Sequence, residues 1–387
     1  MRAVPMGVFL RYFLGLGTWG FGGPIATVGY MQRDLVERRG WLSRQDFVDG
    51  VALGQTMPGP LAAQVVMWLG FLRARVLGAF GAAMAFIAPS FVLVLSVAVV
   101  YSRYQGSHVV QALFYGIAPA VMAIIAIASY KLARLTNRGD WRLWTISLVL
   151  ALVTALTGAE IALLFIAAGL LMIGFDARPR WLRRRSSPST LAVLPVPVVA
   201  GLAVKAVGAA VGAGLLVTLA WFFIKAGALT FGSGLAIVPF LRDGVVHQHH
   251  WLTDSQFLDA VAMGLITPGP VVITATFIGY LAAGWAGAIV ATVAIFTPIF
   301  LGVVIPGPWF ISHRDNTQIQ AFVKGATAAA AGAIAGAVVV LSRQTITDWP
   351  TIAIALVTLA VLLRWKIKEP YVVAAGAIVG IALHWPW

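Results

Sequence analysis

The sequence predicts an all-α polytopic membrane protein whose two homologous halves are inverted repeats with broken or re-entrant helices. Three observations carry this. Mean hydropathy is +0.91, and 10% of residues are charged, where soluble domains carry about 25%. A shift of 210 residues lays one half of the chain on the other. Each half also interrupts an apolar stretch with Pro-Gly-Pro, at 58–60 and 268–270. This composition excludes a disordered or collagen-like chain. Zero Cys excludes disulfides, a thiolate nucleophile and a cysteine metal site. A net charge of +14 would suggest nucleic acid in a soluble protein. Here Lys and Arg lie between apolar runs and read as topogenic charge, so the expected surroundings are a lipid bilayer, with no nucleic acid.

The elements follow in chain order. The first 17 residues lack a small-residue cleavage site and read as a retained first membrane segment. Residues 9–30 begin as a helix that runs into Thr18-Trp-Gly-Phe-Gly-Gly-Pro24, where three Gly and a Pro oppose continuation. Residues 41–70 hold one apolar piece before Pro58 and another after Pro60. A bilayer crossing takes roughly 20 residues, so each piece is too short to cross alone and suits a re-entrant hairpin or a broken helix. Apolar runs at 80–101, 108–131, 141–157 and 161–175 complete the first half, and 209–231, 287–305, 319–341, 351–363 and 371–384 the second. Their short separations predict tight helical hairpins. The expected organisation is a first repeat over 1–176, a basic loop and apolar connector over 177–208, and a second repeat over 209–387. Within the connector, 191–208 carries Pro195, Pro197 and Lys205 and reads either as a span or as a segment lying against the bundle.

The duplication is ungapped across the break. Phe21-Gly22 falls on Phe231-Gly232, Trp41-Leu42 on Trp251-Leu252, Asp49 on Asp259, and one Pro-Gly-Pro on the other. After shifts of one or two residues, Asp140-Trp141 pairs with Asp348-Trp349, and Glu160 with Glu369. Loop charge then sets the relative orientation. First-half loops hold Arg33, Arg38, Arg39 and Arg44, then Arg73 and Arg75, then Lys131, Arg134, Arg138 and Arg142, then five Arg between 178 and 185. Their counterparts hold only Arg242 and Arg343, whereas Arg364, Lys366 and Lys368 answer a loop at 157–160 that has no basic residue. The bias switches side, which by the positive-inside rule means inverted repeats.

Inverted repeats with paired discontinuous helices suit secondary transport, with substrate near the midplane where half-helix ends meet. Proline removes a backbone donor and fixes φ, while glycine allows close approach. The half-helices after each Pro-Gly-Pro would present the N–H groups of Leu61–Ala63 and Val271–Ile273, and a helix N-terminus attracts anions. Two facing ends would suit a small divalent oxyanion. A plain tight turn is the competing reading of each copy.

The runs FGGP at 21–24, WLSRQDFVDGVALGQTMPGPLAAQVVMWLGFLRA from Trp41 and GAFGAAMAFIAPSF from Gly78 resemble the chromate ion transporter family, long two-domain form. The second copy, FGSG at 231–234 and WLTDSQFLDAVAMGLITPGP from Trp251, resembles that family's C-terminal domain. The resemblance implies a membrane exporter of chromate with proton coupling. Two positions depart from it: Ser233 stands where the second domain commonly reads Gly, and Thr27 lies near where many members carry His.

The expected substrate-binding set joins both glycine motifs, both breaks and their polar flanks. It comprises Phe21, Gly22, Gly23, Gln55, Thr56, Pro58, Gly59, Pro60 and Gln64. From the second half it takes Lys225, Gly232, Ser233, Gly234, Thr267, Pro268, Gly269, Pro270 and Thr274. The flanking Gln and Thr side chains, with Thr276, would donate to oxyanion oxygens or else satisfy freed backbone carbonyls. Lys225 and Arg11 would balance a dianion or snorkel to an interface. Asp259 and Asp49 are the proton-coupling candidates, Asp259 first because fewer Arg lie near it. Their alternatives are an ion pair with Arg242 or Arg33, or an interfacial, solvated carboxylate. Glu160 and Glu369 read as helix-start acids. His247, His249 and His250 read as a solvated loop without a metal, and Trp41, Trp251, Trp141, Trp349, Trp385 and Trp387 as interfacial anchors. No GxxxxGK[ST], HExxH or GxSxG occurs, so neither ATP-driven transport nor an enzyme is expected. No cofactor is expected, and a homodimer in the cell inner (plasma) membrane is. The rival functions are transport of sulfate or another oxyanion, a passive anion channel of the same architecture, and an enzyme acting on lipid headgroups.

Overall fold

The computed structural model describes residues 4–21, 23–57, 59–157, 162–176, 211–230, 234, 237–313, 316–365, 367 and 369–384, and its regular structure is helical throughout. The first half contains α1 (Met6–Trp19), α2 (Gly23–Met31), α3 (Arg44–Thr56), α4 (Leu61–Tyr104), α5 (His108–Asn137), α6 (Trp141–Thr157) and α7 (Ala162–Asp176). The second contains α8 (Val211–Leu229), α9 (Val238–Arg242), α10 (Asp254–Ile266), α11 (Thr274–Val304), α12 (Gly307–His313), α13 (Thr317–Thr345), α14 (Trp349–Arg364) and α15 (Glu369–His384). Four described segments are long and apolar enough to cross a membrane: Leu61–Tyr104, His108–Arg134, Val271–Trp309 and Thr317–Arg343. Large apolar side chains such as Leu77, Leu148, Leu156, Ile289, Val293 and Leu356 stand exposed on the outside, as a lipid-facing surface requires.

The glycine-rich stretch does stop the first helix. α1 ends at Trp19, where Gly20 N–H returns to Leu16 O, and α2 starts at Gly23. At 14 residues α1 is about 21 Å long, short of a 30 Å core. The N-terminal helix is therefore too short to cross on its own, as the break read at 18–24 implies. The connector 191–208, Glu160, Lys366, Lys368, Trp385 and Trp387 lie outside the described residues.

α4 and α11 are not continuous rods. α4 turns back at Ala74 and Arg75 (φ −151° and 51°), and α11 at Ala283 and Gly284 (φ −148° and 61°). Each is a hairpin of a short limb (61–73 or 271–282) and a long one (76–104 or 285–304). The limbs touch backbone to backbone at Gly70 and Gly78, and again at Gly279 and Gly287. Only glycine lets helices approach this closely, the contact small residues provide inside membranes.

The duplication holds in detail. Short π-helical turns occupy Gln32–Arg38 and Asp243–Gln248, and each is followed by a positive-φ residue, Gly40 and His250. Trp41 N–H bonds Leu35 O, and Trp251 N–H bonds Val245 O. Arg39 lies over the rings of Trp41 and Tyr12. In the second half His249 stacks on Trp251 at 4.4 Å and edges onto Phe222, at the position equivalent to Tyr12. Trp41 and Trp251 are thus partly buried packing centres, which corrects their reading as interfacial anchors, while Trp141 and Trp349 are exposed.

The halves exchange their last helices. α6 and α7 pack mainly on α13, and α14 and α15 on α5, so each pair clasps the opposite half. Glycines again set the contacts: Gly332 and Gly336 meet Ser147 and Ala151, Gly325 meets Ala168, and Gly376 and Gly380 meet Gly116 and Ala112. Ser147 Oγ donates to Ala328 O (2.8 Å) and Ser129 Oγ to Ala331 O (3.2 Å), tying α6 and α5 to α13. At the centre α4 lies against α11, with α1 on α4 and α8 on α11.

Candidate substrate site

Both Pro-Gly-Pro turns end a short helix and begin another. α3 and α10 have 13 residues each, about 20 Å of helix. Each starts from a hydroxyl cap, Ser43 Oγ accepting from Asp46 N–H and Thr253 Oγ1 from Gln256 N–H. Each stops the same way, with Met57 N–H on Leu53 O and Thr267 N–H on Met263 O. Gly59 (φ 139°) and Gly269 (φ 108°) then take backbone angles that side chains rarely adopt. The chain leaves each turn differently. α4 starts directly from Pro60, whereas Val271–Ile273 forms a 3-10 turn before α11.

Each turn is held by the opposite half. Gly59 N–H donates to Thr230 O, at the end of α8, over 2.5 Å. Ser90 Oγ, on α4 beside Pro89, donates to Pro268 O over 2.5 Å. A Cβ on Gly59 would lie 2.9 Å from Ile299 Cγ2, beside Pro298 on α11, and a Cβ on Gly269 would collide with Ser90 Oγ. The two turns thus rest on equivalent points of each other's proline-containing helix. They also share a neighbour. A Cβ on Gly234 (φ 79°) would lie 3.4 Å from Pro60 Cβ, 3.7 Å from Val272 Cγ1 and 3.9 Å from Val271 Cβ. Gly234 therefore lies next to Pro60 of the first break and to the residues that follow the second.

The lining is neutral. Gln64, Ser90, Thr230, Thr267, Thr274 and Ile299 are all buried there. Gln64 Nε2 donates to Met57 O (3.2 Å), Thr274 Oγ1 to Val271 O (2.8 Å) and Thr267 Oγ1 to Gly264 O (3.4 Å). Thr276 Oγ1 pairs with Thr292 Oγ1 at 2.7 Å. These polar flanks serve local backbone and each other, the second of the two roles the sequence offers.

Not every expected site residue joins them. Lys225 is exposed on α8 with its ammonium 5.9 Å above the Trp221 ring. It is not turned into the contact between the breaks, which corrects its placement there. Arg11 and Gln55 are exposed as well. Phe21 is half-buried with its N–H on Trp19 O, and Gly23 opens α2. Thr27 is buried, its hydroxyl on Gly20 O. Gly22, Pro58, Gly232 and Ser233 lie outside the described residues, as does the Thr56 side chain.

The two candidate carboxylates differ. Asp49 is half-buried and accepts from Gln45 Nε2 at 2.8 Å, one turn away on α3. Asp259 is 8% exposed and accepts from Tyr101 OH of α4 at 2.6 Å. The two cations of the ion-pair alternative are engaged by other acids: Arg33 bonds Asp34 (3.0 Å), and Arg242 bonds Asp254 (2.7 Å). α10 is too short to span a membrane. Burial there raises the Asp259 pKa above the usual carboxylate range, with the Tyr101 hydrogen bond opposing it. Among the described residues no group of three or more His, Cys, Asp or Glu could hold a metal. Sequence reasoning missed Ser90, Tyr101, Thr230 and Ile299. The only signal was Pro89 and Pro298 at nearly equivalent positions, each followed by the contact residue.

The profile of the chromate transporter family matches residues 8–174 and again 217–381, most of both halves. The chain belongs to the chromate transporter family. It is similar to the chromate transport protein of Cupriavidus metallidurans, 49% identical over 97% of this chain and 92% of that one. The probable chromate transport protein of Synechococcus elongatus is 46% identical over 96% and 94%. The chromate transport protein of Pseudomonas aeruginosa is 31% identical over 94% and 89%. No solved structure matches. Membership makes this two-half chain a multi-pass membrane transporter and not an enzyme, in line with the four long apolar helices.

Proposed function

We propose that this family member is a secondary active transporter that exports chromate across the cell inner membrane, holding the tetrahedral dianion between the two Pro-Gly-Pro turns. The observation that supports the site most directly is that Gly234 lies beside Pro60 and beside Val271 and Val272, where the helical segments after the two turns begin, with each turn latched to the opposite half through Thr230 or Ser90. Relatives named as chromate transport proteins supply the substrate. The described lining carries no fixed cation, so attraction for a dianion would come from the starts of the helical segments at Leu61 and Val271. A neutral dipolar site also suits release, because a dianion paired with buried Arg or Lys would leave slowly.

In this reading the halves are inverted in the bilayer and the paired short helices around each turn are re-entrant, with the Arg33–Arg44 and Arg134–Arg142 clusters facing the cytoplasm. Outward movement of a dianion is electrically downhill by about 4.6 kcal/mol at 100 mV. Exchange for an entering proton adds the pH gradient to that drive. Asp259 is the first candidate carrier, since burial favours its neutral form and no cation holds it ionised; Asp49 is second. The test is uptake of labelled chromate by everted vesicles containing the chain. Saturable uptake absent from control vesicles supports the reading, and unlabelled sulfate competing as well as unlabelled chromate would widen the substrate to tetrahedral dianions in general. Uptake equal to that of control vesicles would overturn it.

A further inference from the structure

A cleft of about 510 Å³ opens at one end of the molecule, where α4 ends, α5 and α10 begin and α13 ends. Gln105, Gly106, Gln111 and Ser255 are exposed at its mouth, and Tyr101 and Asp259 form its buried floor. Among the described residues no Lys, Arg or His lines it, in a chain with a net charge of +14. None of its lining residues belongs to the Pro-Gly-Pro turns or to the glycine motifs. A dianion would meet a carboxylate here and no cation, so this is not a second anion site. A buried acid at the end of a polar, solvent-open cleft suits a proton delivered through water.

The pseudo-equivalent end lacks this arrangement. Residues 210 and 209 positions after Tyr101 are Ile311 and Phe310, neither with a hydroxyl. Where α4 continues to Tyr104, the second-half chain breaks after Val304 and folds as α12 onto α3. There Gly307 sits against Trp68 and Leu53. Asp49 accepts from Gln45 of its own helix.

We infer that this cleft is the pathway by which Asp259 exchanges its proton with one face of the membrane only, and that Tyr101 is the positioning residue that holds the carboxylate at its floor. The inference rests on the coupling reading above. The ionisable neighbours are accounted for. Arg242 on α9 is engaged by Asp254, and Tyr115 on α5, which lines the cleft, donates to Asp348 at 2.6 Å. His108 of α5 and Arg103 of α4 are exposed. Among the described residues Tyr280 on α11, Asp243 and His247 of the adjoining π-helical turn, and Glu369 and Tyr371 on α15 form no bond with Asp259. Among the described residues Tyr101 is its one hydrogen-bond partner, and that bond favours the ionised form.

The absence of Cys makes the test direct. Gln111→Cys and Ser255→Cys, at opposite walls of the mouth, are each assayed in everted vesicles before and after reaction with a bulky maleimide, beside Asp259→Asn. The readout is the ratio of chromate uptake with and without an imposed pH gradient. The expected result is that labelling either cysteine lowers this ratio to that of Asp259→Asn, whereas labelling Gln45→Cys beside Asp49 leaves it unchanged. Tyr101→Phe should move the midpoint of the pH dependence upward, because the carboxylate loses a donor that favours its charged form; a purely structural role would lower the rate without moving the midpoint. Full stimulation after labelling, with stimulation lost in Asp259→Asn, would overturn the cleft while leaving proton coupling intact. Stimulation retained in Asp259→Asn would overturn both.

Discussion

Replacing Gly269 with Ala tests the second break where its geometry is tightest. A φ of 108° costs a side chain about 1–3 kcal/mol. The added methyl would also collide with Ser90 Oγ. If Ser90 turns away, its bond to Pro268 O is lost and buried polar groups are left unmatched, about 1–3 kcal/mol more. The turn is then disfavoured by about 2–6 kcal/mol, and the lower bound alone is about a 30-fold loss of correctly formed sites. The helices on either side are held by separate contacts, α10 by its Thr253 cap and α11 by the Gly279–Gly287 hairpin. The protein should therefore reach the membrane in near-normal amount while initial chromate uptake falls by an order of magnitude or more. Adding Ser90→Ala removes the collision but not the backbone strain, so the double variant should recover part of the rate. Uptake by Gly269→Ala close to that of the parent, at equal protein, would refute the reasoning and leave the motif as a plain turn.

Gly59→Ala should behave alike, since its Cβ would lie 2.7 Å from Gln64 Nε2 and 2.9 Å from Ile299 Cγ2 at a φ of 139°. Gly279→Leu should deplete the protein from the membrane, because its side chain would drive into the backbone of Gly287, whereas Gly284→Ala has open space and carries only the strain of φ 61°, about 1–2 kcal/mol; membrane immunoblots compare the two. Single cysteines replacing Arg39 and His249 should react with an impermeant thiol reagent from opposite faces, and labelling of both from one face would sink the inverted arrangement. Asp259→Asn should keep saturable chromate uptake and lose its pH dependence; unchanged pH dependence would remove Asp259 as the carrier.

Much of this architecture was legible because duplication and lipid both leave simple marks. The limits read for α6, 141–157, are those found, since Asp140 and Gly158 bracket a mostly apolar run. The stop at Trp19 followed from glycine and proline chemistry, and the two Pro-Gly-Pro turns from their equivalence. The close pairing of the two limbs at the turns of α4 and α11 was not legible. Arg73 and Arg75 marked a loop at the first, but nothing charged marks the second, and the glycines that let the limbs touch, Gly70 with Gly78 and Gly279 with Gly287, read in sequence as ordinary helix positions. The exchange of α6 and α7 for α14 and α15 could not be seen either. An apolar helix in a membrane has no polar face to declare its partner, so packing is decided by small-residue matches far apart in the chain. The same distance hid Tyr101 from Asp259 and Ser90 from Pro268. Lys225 misled for a related reason: a cation among apolar residues signals a cavity or an outer surface equally well, and here it rests on Trp221 outside.

The most direct test of the central claim is the initial rate of labelled chromate uptake by everted vesicles containing the parent chain, across a range of chromate concentrations, with the lumen either acidic or at the external pH. A proton-coupled transporter that binds the dianion between its two breaks should give a saturating curve, raised by the acidic lumen. A rate that rises linearly with chromate and ignores the gradient would contradict the account and identify a passive anion pore.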